Sequence, residues 1–250
     1  MVLVPIYFGL ISCGDRNLSD DLVSRLDDEN LVHDCKAFID VTDQDIEVLG
    51  ERFESLSFSN EHEECKSVLW YVNDTLRVVR EINRTIATNE QQERSYYFKD
   101  GKLYLAQEIK DVPKGNGIES SELIVCYESE TPVRAWSNSS FDGVFDPSKY
   151  SDSKPVTLSP SRALEMFNCD NSFELNFDDF LETSGERYLL VSTSHQQKYI
   201  AAIKINEMDD FLNKLFKDKK KLKNSPIKIQ HQIVNQSGWV FHYYIKGELR

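Results

Sequence analysis

Tyr96-Tyr97-Phe98-Lys99-Asp100-Gly101-Lys102-Leu103-Tyr104-Leu105 places two aromatic-rich runs on either side of Asp100-Gly101. Both residues of that pair tolerate positive φ, which the tight turns between paired strands demand, so the stretch predicts a β-hairpin. Working outward, the same plan recurs. Residues 68–72 return through Asn73-Asp74-Thr75 as residues 76–82, and residues 123–127 return through 128–132 as residues 133–136. A fourth aromatic-rich run, residues 239–249, closes the sequence. The spacing between these units is not constant, so they form a shared motif and not a true repeat.

Helical periodicity is weaker. Residues 18–26 predict a short helix, and a second is expected after Thr42, capped by that hydroxyl with Asp43 and Asp45 in its first turn. Ile46, Leu49, Phe53 and Leu56 then fall on one face. Residues 137–161 are rich in Ser, Asp and Pro and read as a linker or long loop. Beyond them come short helices at 162–167 and 178–181, then strands at 187–193 and 198–205. A helix follows, capped by Asn206, with Met208, Phe211, Leu212, Leu215 and Phe216 inward, and strands at 227–234 and 239–245 end the series. The fold class expected is α+β, with antiparallel sheets built from hairpins, packing helices and two subdomains. These would be residues 14–136 and a ββαββ unit at 162–250.

The 250 residues are 40% hydrophobic, 11% aromatic and 28% charged, enough apolar material to fold. Net charge is −13. Long-range repulsion therefore opposes nucleic acid and anionic lipid heads, and a basic protein partner is favoured. The charge is uneven: residues 198–250 hold 11 Lys and Arg against 5 Asp and Glu, net +6, while residues 1–197 hold 18 against 37, net −19. The lysines at 217, 219, 220, 221 and 223 read as a solvated helix end that complements the helix dipole.

Residues 1–12 carry no charged side chain, and a polar stretch begins directly after Cys13. Leu10-Ile11-Ser12-Cys13 resembles the lipobox of bacterial lipoproteins, and residues 96–103 resemble hairpin segments of exported proteins of that kind. The resemblance implies that Cys13 is lipidated, that residues 1–12 are a signal segment removed in processing, and that the body hangs from a bacterial envelope by lipid. Two features depart from the pattern: no basic residue precedes the apolar run, and the run is shorter than a usual signal peptide. A buried first strand at 2–11 is the other reading of the segment. It is too short to cross a membrane as a helix, which takes about 20 apolar residues. With Cys13 lipidated, Cys35, Cys65, Cys126 and Cys169 remain, an even number able to pair in an oxidising compartment, but nothing in their spacing selects partners.

Motifs that carry chemistry are missing from the sequence: no nucleophile elbow, phosphate loop, dinucleotide fingerprint or zinc-protease helix occurs. His62-Glu63-Glu64-Cys65 and His33-Asp34-Cys35 offer metal donors, but adjacent donors on one element point apart, and charged surface turns explain both better. Asp40, Asp43 and Asp45, or Asp142 with Asp146, lack the Gly and terminal Glu of a calcium loop. Cys126 or Cys169 with His195 or His242 would make a covalent pair only if the fold joined them. The expectation is no catalytic site, no metal and no cofactor. The aromatics Tyr96, Phe98, Trp136 and Tyr243 are the candidate binding surface, because clustered exposed rings mark such surfaces. The functional expectation is a non-catalytic, lipid-anchored envelope binding or accessory protein. The alternative is an intracellular acidic inhibitor or immunity-type protein that neutralises a basic partner.

Overall fold

The computed structural model describes residues 28–250, except residues 142, 195–197, 237 and 238. The lipobox-like stretch at 10–13 and the helix expected at 18–26 lie outside the described residues. The described chain begins with helix α1, Asp28–Leu49, followed by strands β1 (Glu51–Glu54) and β2 (Phe58–Ser59). An antiparallel meander comes next: β3 (Glu63–Val72), β4 (Thr75–Thr85), β5 (Gln91–Lys99), β6 (Lys102–Lys114), β7 (Gly117–Glu128) and β8 (Thr131–Ser140). Short β9 (Ser151–Ser153) and helix α2 (Ser161–Asn168) lead to β10 (Leu175–Thr183), β11 (Glu186–Thr193) and β12 (Ile200–Ile205). Helices α3 (Asp210–Lys217) and α4 (Lys219–Leu222) precede the last hairpin, β13 (Ile227–Gln236) and β14 (Trp239–Leu249).

All fourteen strands join one sheet, along the path β10-β11-β12-β2-β3-β4-β5-β6-β7-β8-β9, with β1 beside β3 and the β13–β14 ribbon attached through β14. The pairings are antiparallel except β12 with β14. The expected α+β class with two hairpin-built subdomains is therefore corrected: the fold is mostly β, with 55% of the described residues in strands and 21% in helices, in a single sheet. Two helices were misread locally. Residues 178–181 belong to β10, and α1 is already under way from Asp28, well before Thr42. Thr42 is 1% exposed in the middle of α1, where it cannot cap. The helix ends instead at Gly50, whose N–H donates to Ile46 O, and Phe53 and Leu56 lie beyond it. Asp209, not Asn206, caps α3, its carboxylate accepting from Leu212 N. Residues 137–161, read as linker or loop, carry the end of β8, a 3-10 turn at Pro147–Lys149 and β9.

The hairpins are tight because their turns use the backbone that favours them. Asn73-Asp74, Asp100-Gly101, Ser129-Glu130 and Ser184-Gly185 each have positive φ at both positions, which matches strand twist and fixes register. Alternation then divides the meander into two faces. One face sends Leu69, Val79, Tyr96, Ala106 and Val125 into a core closed by α2, α3 and the inward residues of β10–β12. On the other, Val78, Tyr97, Leu105, Ile124 and Trp136 meet Val32, Cys35, Ile39 and Ile46, the helical stripe of α1.

Candidate functional site

The four aromatics expected to form one surface are distributed through the interior. Tyr96 is 1% exposed in the first core, with Phe98 packed against that core, while Trp136 is 2% exposed in the second core on the opposite sheet face. Tyr243 on β14 is buried, and Lys204 Nζ lies 5.3 Å from its ring centroid. Rings of alternate positions went to opposite cores, so these residues are packing elements and do not meet.

The sets weighed for metal or covalent chemistry also separate. His62 N binds Asn60 Oδ1, Asp43 faces Tyr97 and Arg80, and Asp146 caps the 3-10 turn. His195 and Asp142 lie outside the described residues. Among the described residues no group of three His, Cys, Asp or Glu side chains converges as metal ligands. Cys65 and Cys169 are thiols whose pKa burial pushes up to about 12, the setting of an inert sulfur.

Two buried polar seams run through the sheet. In the first, Arg162 of α2 reaches across to β3 and β4: Nη1 donates to Asn83 Oδ1 at 2.7 Å and to Glu81, and Nη2 donates to Glu63 Oε1 at 2.9 Å and to the Tyr199 hydroxyl at 3.3 Å. Burial works against the guanidinium charge, but Glu81 and these hydrogen bonds hold its pKa above the ordinary value. Glu81 itself is 1% exposed. The second seam lies under α1, where the enclosed Glu122 carboxylate accepts from Gln107, from Tyr150 and from Lys36 Nζ at 2.9 Å. Each donor in the two seams already has its acceptor, so both act as clamps of a helix onto the sheet.

The place where the sheet forks is different. Strand β12 pairs along one edge with β11, and its other edge holds both Ser59 of β2, opposite Ile200, and Tyr243 of β14, opposite Lys204. In the crotch between β2 and β14, Ser57 Oγ stands 3.5 Å from His242 Nε2, and the His242 ring meets that of His231 edge-on at 5.0 Å. Burial, then His231 and Lys66, push the His242 pKa down to about 4, so the ring is neutral near pH 7. Beside it, Glu54 is enclosed between Arg52 and Lys66, its Oε2 3.5 Å from Lys66 Nζ. Ser57 and Lys66 also line a surface groove of about 440 Å³ with Ser59, Ile82, Arg84 and Gln91 at the ends of β2–β5.

A Ser–His pair does acyl chemistry when a carboxylate holds the far ring nitrogen and so fixes tautomer and orientation. His242 Nδ1 is buried with no hydrogen-bond partner among the described residues, and 3.5 Å is a loose approach for proton transfer. The groove offers hydroxyls, two amides, two cations, the Glu64 carboxylate and an apolar floor at Ile82, a lining suited to holding a polar ligand or a partner's side chains. Local spacing gave no sign of it: Ser57 and His242 are 185 residues apart. No family model, curated protein or solved structure matches this chain.

Proposed function

We propose that this chain is a non-catalytic binding or accessory protein, held at a bacterial envelope by lipid on Cys13, that engages its ligand through the groove beside the fork. The observation that carries the binding half is the groove itself, whose lining combines Lys66, Arg84 and Glu64 with Ser57, Ser59, Asn83 and Gln91. Arg84 stands 3.7 Å from Glu64 and Lys66 3.5 Å from Glu54, so the lining is mixed in charge and favours a strongly polar ligand. The anchor half rests on Leu10-Ile11-Ser12-Cys13.

Intact mass of the protein from its native host, with separation of membrane and soluble pools, tests the anchor. A mature chain starting at diacylated Cys13 in the membrane pool is expected. An unmodified chain retaining residues 2–12 in the soluble pool would refute it. That outcome would promote a second reading, favoured by the net charge of −19 on residues 1–197: an intracellular inhibitor of a basic protein, recognisable by tight, salt-sensitive binding.

A further inference from the structure

Four described cysteines divide between the two cores. Cys65 and Cys169 belong to the first, each with its own local partner: Arg162 beside Cys65, and Met166 O accepting from Cys169 Sγ at 3.8 Å. Cys35 and Cys126 meet in the second. Cys35 lies on the inward stripe of α1, one turn after Val32 and one before Ile39, and is 2% exposed. Cys126 points from β7 into the same core, two residues after Ile124. Their Sγ atoms are 2.7 Å apart, about 0.7 Å beyond the roughly 2.0 Å of a disulfide bond. The helix and the β7 strand carrying them are already docked by Val32, Ile39, Ile46, Leu105 and Trp136, so closing that gap needs only small side-chain rotations.

We infer that Cys35 and Cys126 form a structural disulfide that fastens α1 to the meander. The chemistry is thiol–disulfide exchange with a small disulfide such as oxidised glutathione. One cysteine thiolate attacks the glutathione disulfide, forming a mixed disulfide and releasing one glutathione. The second cysteine thiolate attacks the protein sulfur of that mixed disulfide and releases the other. Two cysteine protons pass to the two glutathione thiolates, and the two electrons lost by the cysteines reduce the glutathione S–S bond. The hydrogen bond that the Cys126 thiol shares with Cys35, together with burial, raises the Cys126 pKa well above the ordinary thiol range, so in the folded, reduced protein exchange is slow. The bond therefore forms during folding, before α1 seals the core.

The pair closes 91 residues, a long loop whose constraint on the unfolded chain is large. The inference does not depend on the anchor: it concerns which thiols join when an oxidant is present, whereas fractionation reports where the chain resides. The test refolds the full chain in a glutathione redox buffer, alkylates remaining thiols under denaturing conditions, and maps unreduced peptides by mass spectrometry. A peptide pair joining Cys35 to Cys126, with Cys65 and Cys169 alkylated, is expected, together with a melting temperature that falls by about 10 °C on reduction. Cys35→Ser and Cys126→Ser should each abolish the linked peptide and the effect of reductant. Alkylation of both Cys35 and Cys126 in the refolded wild-type chain, or linkage of either to another cysteine, would overturn the inference.

Discussion

Replacing Arg162 by Met removes the charge that holds α2 against β3 and β4 while retaining most of the side-chain stem that packs near Phe173, 5.7 Å from the guanidinium carbon. What remains is Glu81, whose side chain is 1% exposed and whose other partner is the Asn83 amide, 2.9 Å away. Removing one member of a buried ion pair costs about 3–5 kcal/mol, because the surviving charge loses its compensation without regaining water. Arg162 is itself 34% exposed, so water can reach the vacated space, and the lower end, about 3 kcal/mol, applies. In a chain of this size that lowers the melting temperature by about 6–12 °C. Urea unfolding should show a lower midpoint with an unchanged slope.

The double variant Arg162→Met with Glu81→Gln separates this account from simple loss of packing. Once Glu81 is neutral, the missing guanidinium should matter less, so the two single costs should exceed the double cost by at least about 1 kcal/mol. Costs that add, or a single Arg162→Met cost below about 1 kcal/mol, would refute the clamp.

Three further outcomes follow from local geometry. Gly101→Val places a β-branched residue at φ +75° in the Asp100-Gly101 turn and should cost about 1–2 kcal/mol in urea midpoint, whereas Gly117→Ala, with open space around the added methyl, should change little. Gly247→Ala drives a methyl to 2.5 Å from Phe211 Cε1 and 3.1 Å from Lys228 O, loosening α3 from β14 at a cost of about 1–3 kcal/mol by the same assay. His242 binds its proton near pH 4 in the fold and at about 6.5 when unfolded, so the unfolded chain binds more protons between those values. Its contribution is complete above pH 6.5 and is lost as pH falls toward 4, up to about 3 kcal/mol; His242→Asn should flatten the urea midpoint across that window, and an unchanged slope would count against a neutral buried ring.

The hairpins were legible wherever turn chemistry and strand pattern agreed. Asp100-Gly101 and Asn73-Asp74 occur as turns in the structure, with positive φ at both positions of each. Where the two signals conflicted, elements were cut short or misread. The β6–β7 hairpin turns at Gly115-Asn116, a good turn sequence, but Pro113 and the charges around it hid the strands; Pro is tolerated there because it stands next to the turn. Asp178-Asp179-Phe180-Leu181 resembled a capped helical turn, yet it runs along β11 with a register shift between Phe177 and Asp179, a bulge that breaks the alternation a strand would have shown. Thr42 followed by acids imitated a helix start, while burial of Val32, Cys35 and Ile39 through the preceding turns determined that the helix was already under way.

The polar seams explain why strands were read too short and why the site was not readable at all. β3 was expected from residue 68 and begins at Glu63; β7 was expected from 123 and begins at Gly117. The lost portions hold Glu63, Ser67, Ser120 and Glu122, and β4 and β6 add Glu81, Asn83 and Gln107: inward positions filled by groups that a hydrophobic pattern counts as outward. Their burial is made tolerable by partners from distant elements, Arg162 for Glu81 at 81 residues' separation and Lys36 for Glu122 at 86. The same alternation splits His62-Glu63-Glu64-Cys65, sending Glu63 to the Arg162 clamp and Glu64 to the groove. Residues adjacent in sequence were thus the ones that part, and those that cooperate, Ser57 with His242 and Cys35 with Cys126, are joined only by the register of a fourteen-stranded sheet and the helix laid across it.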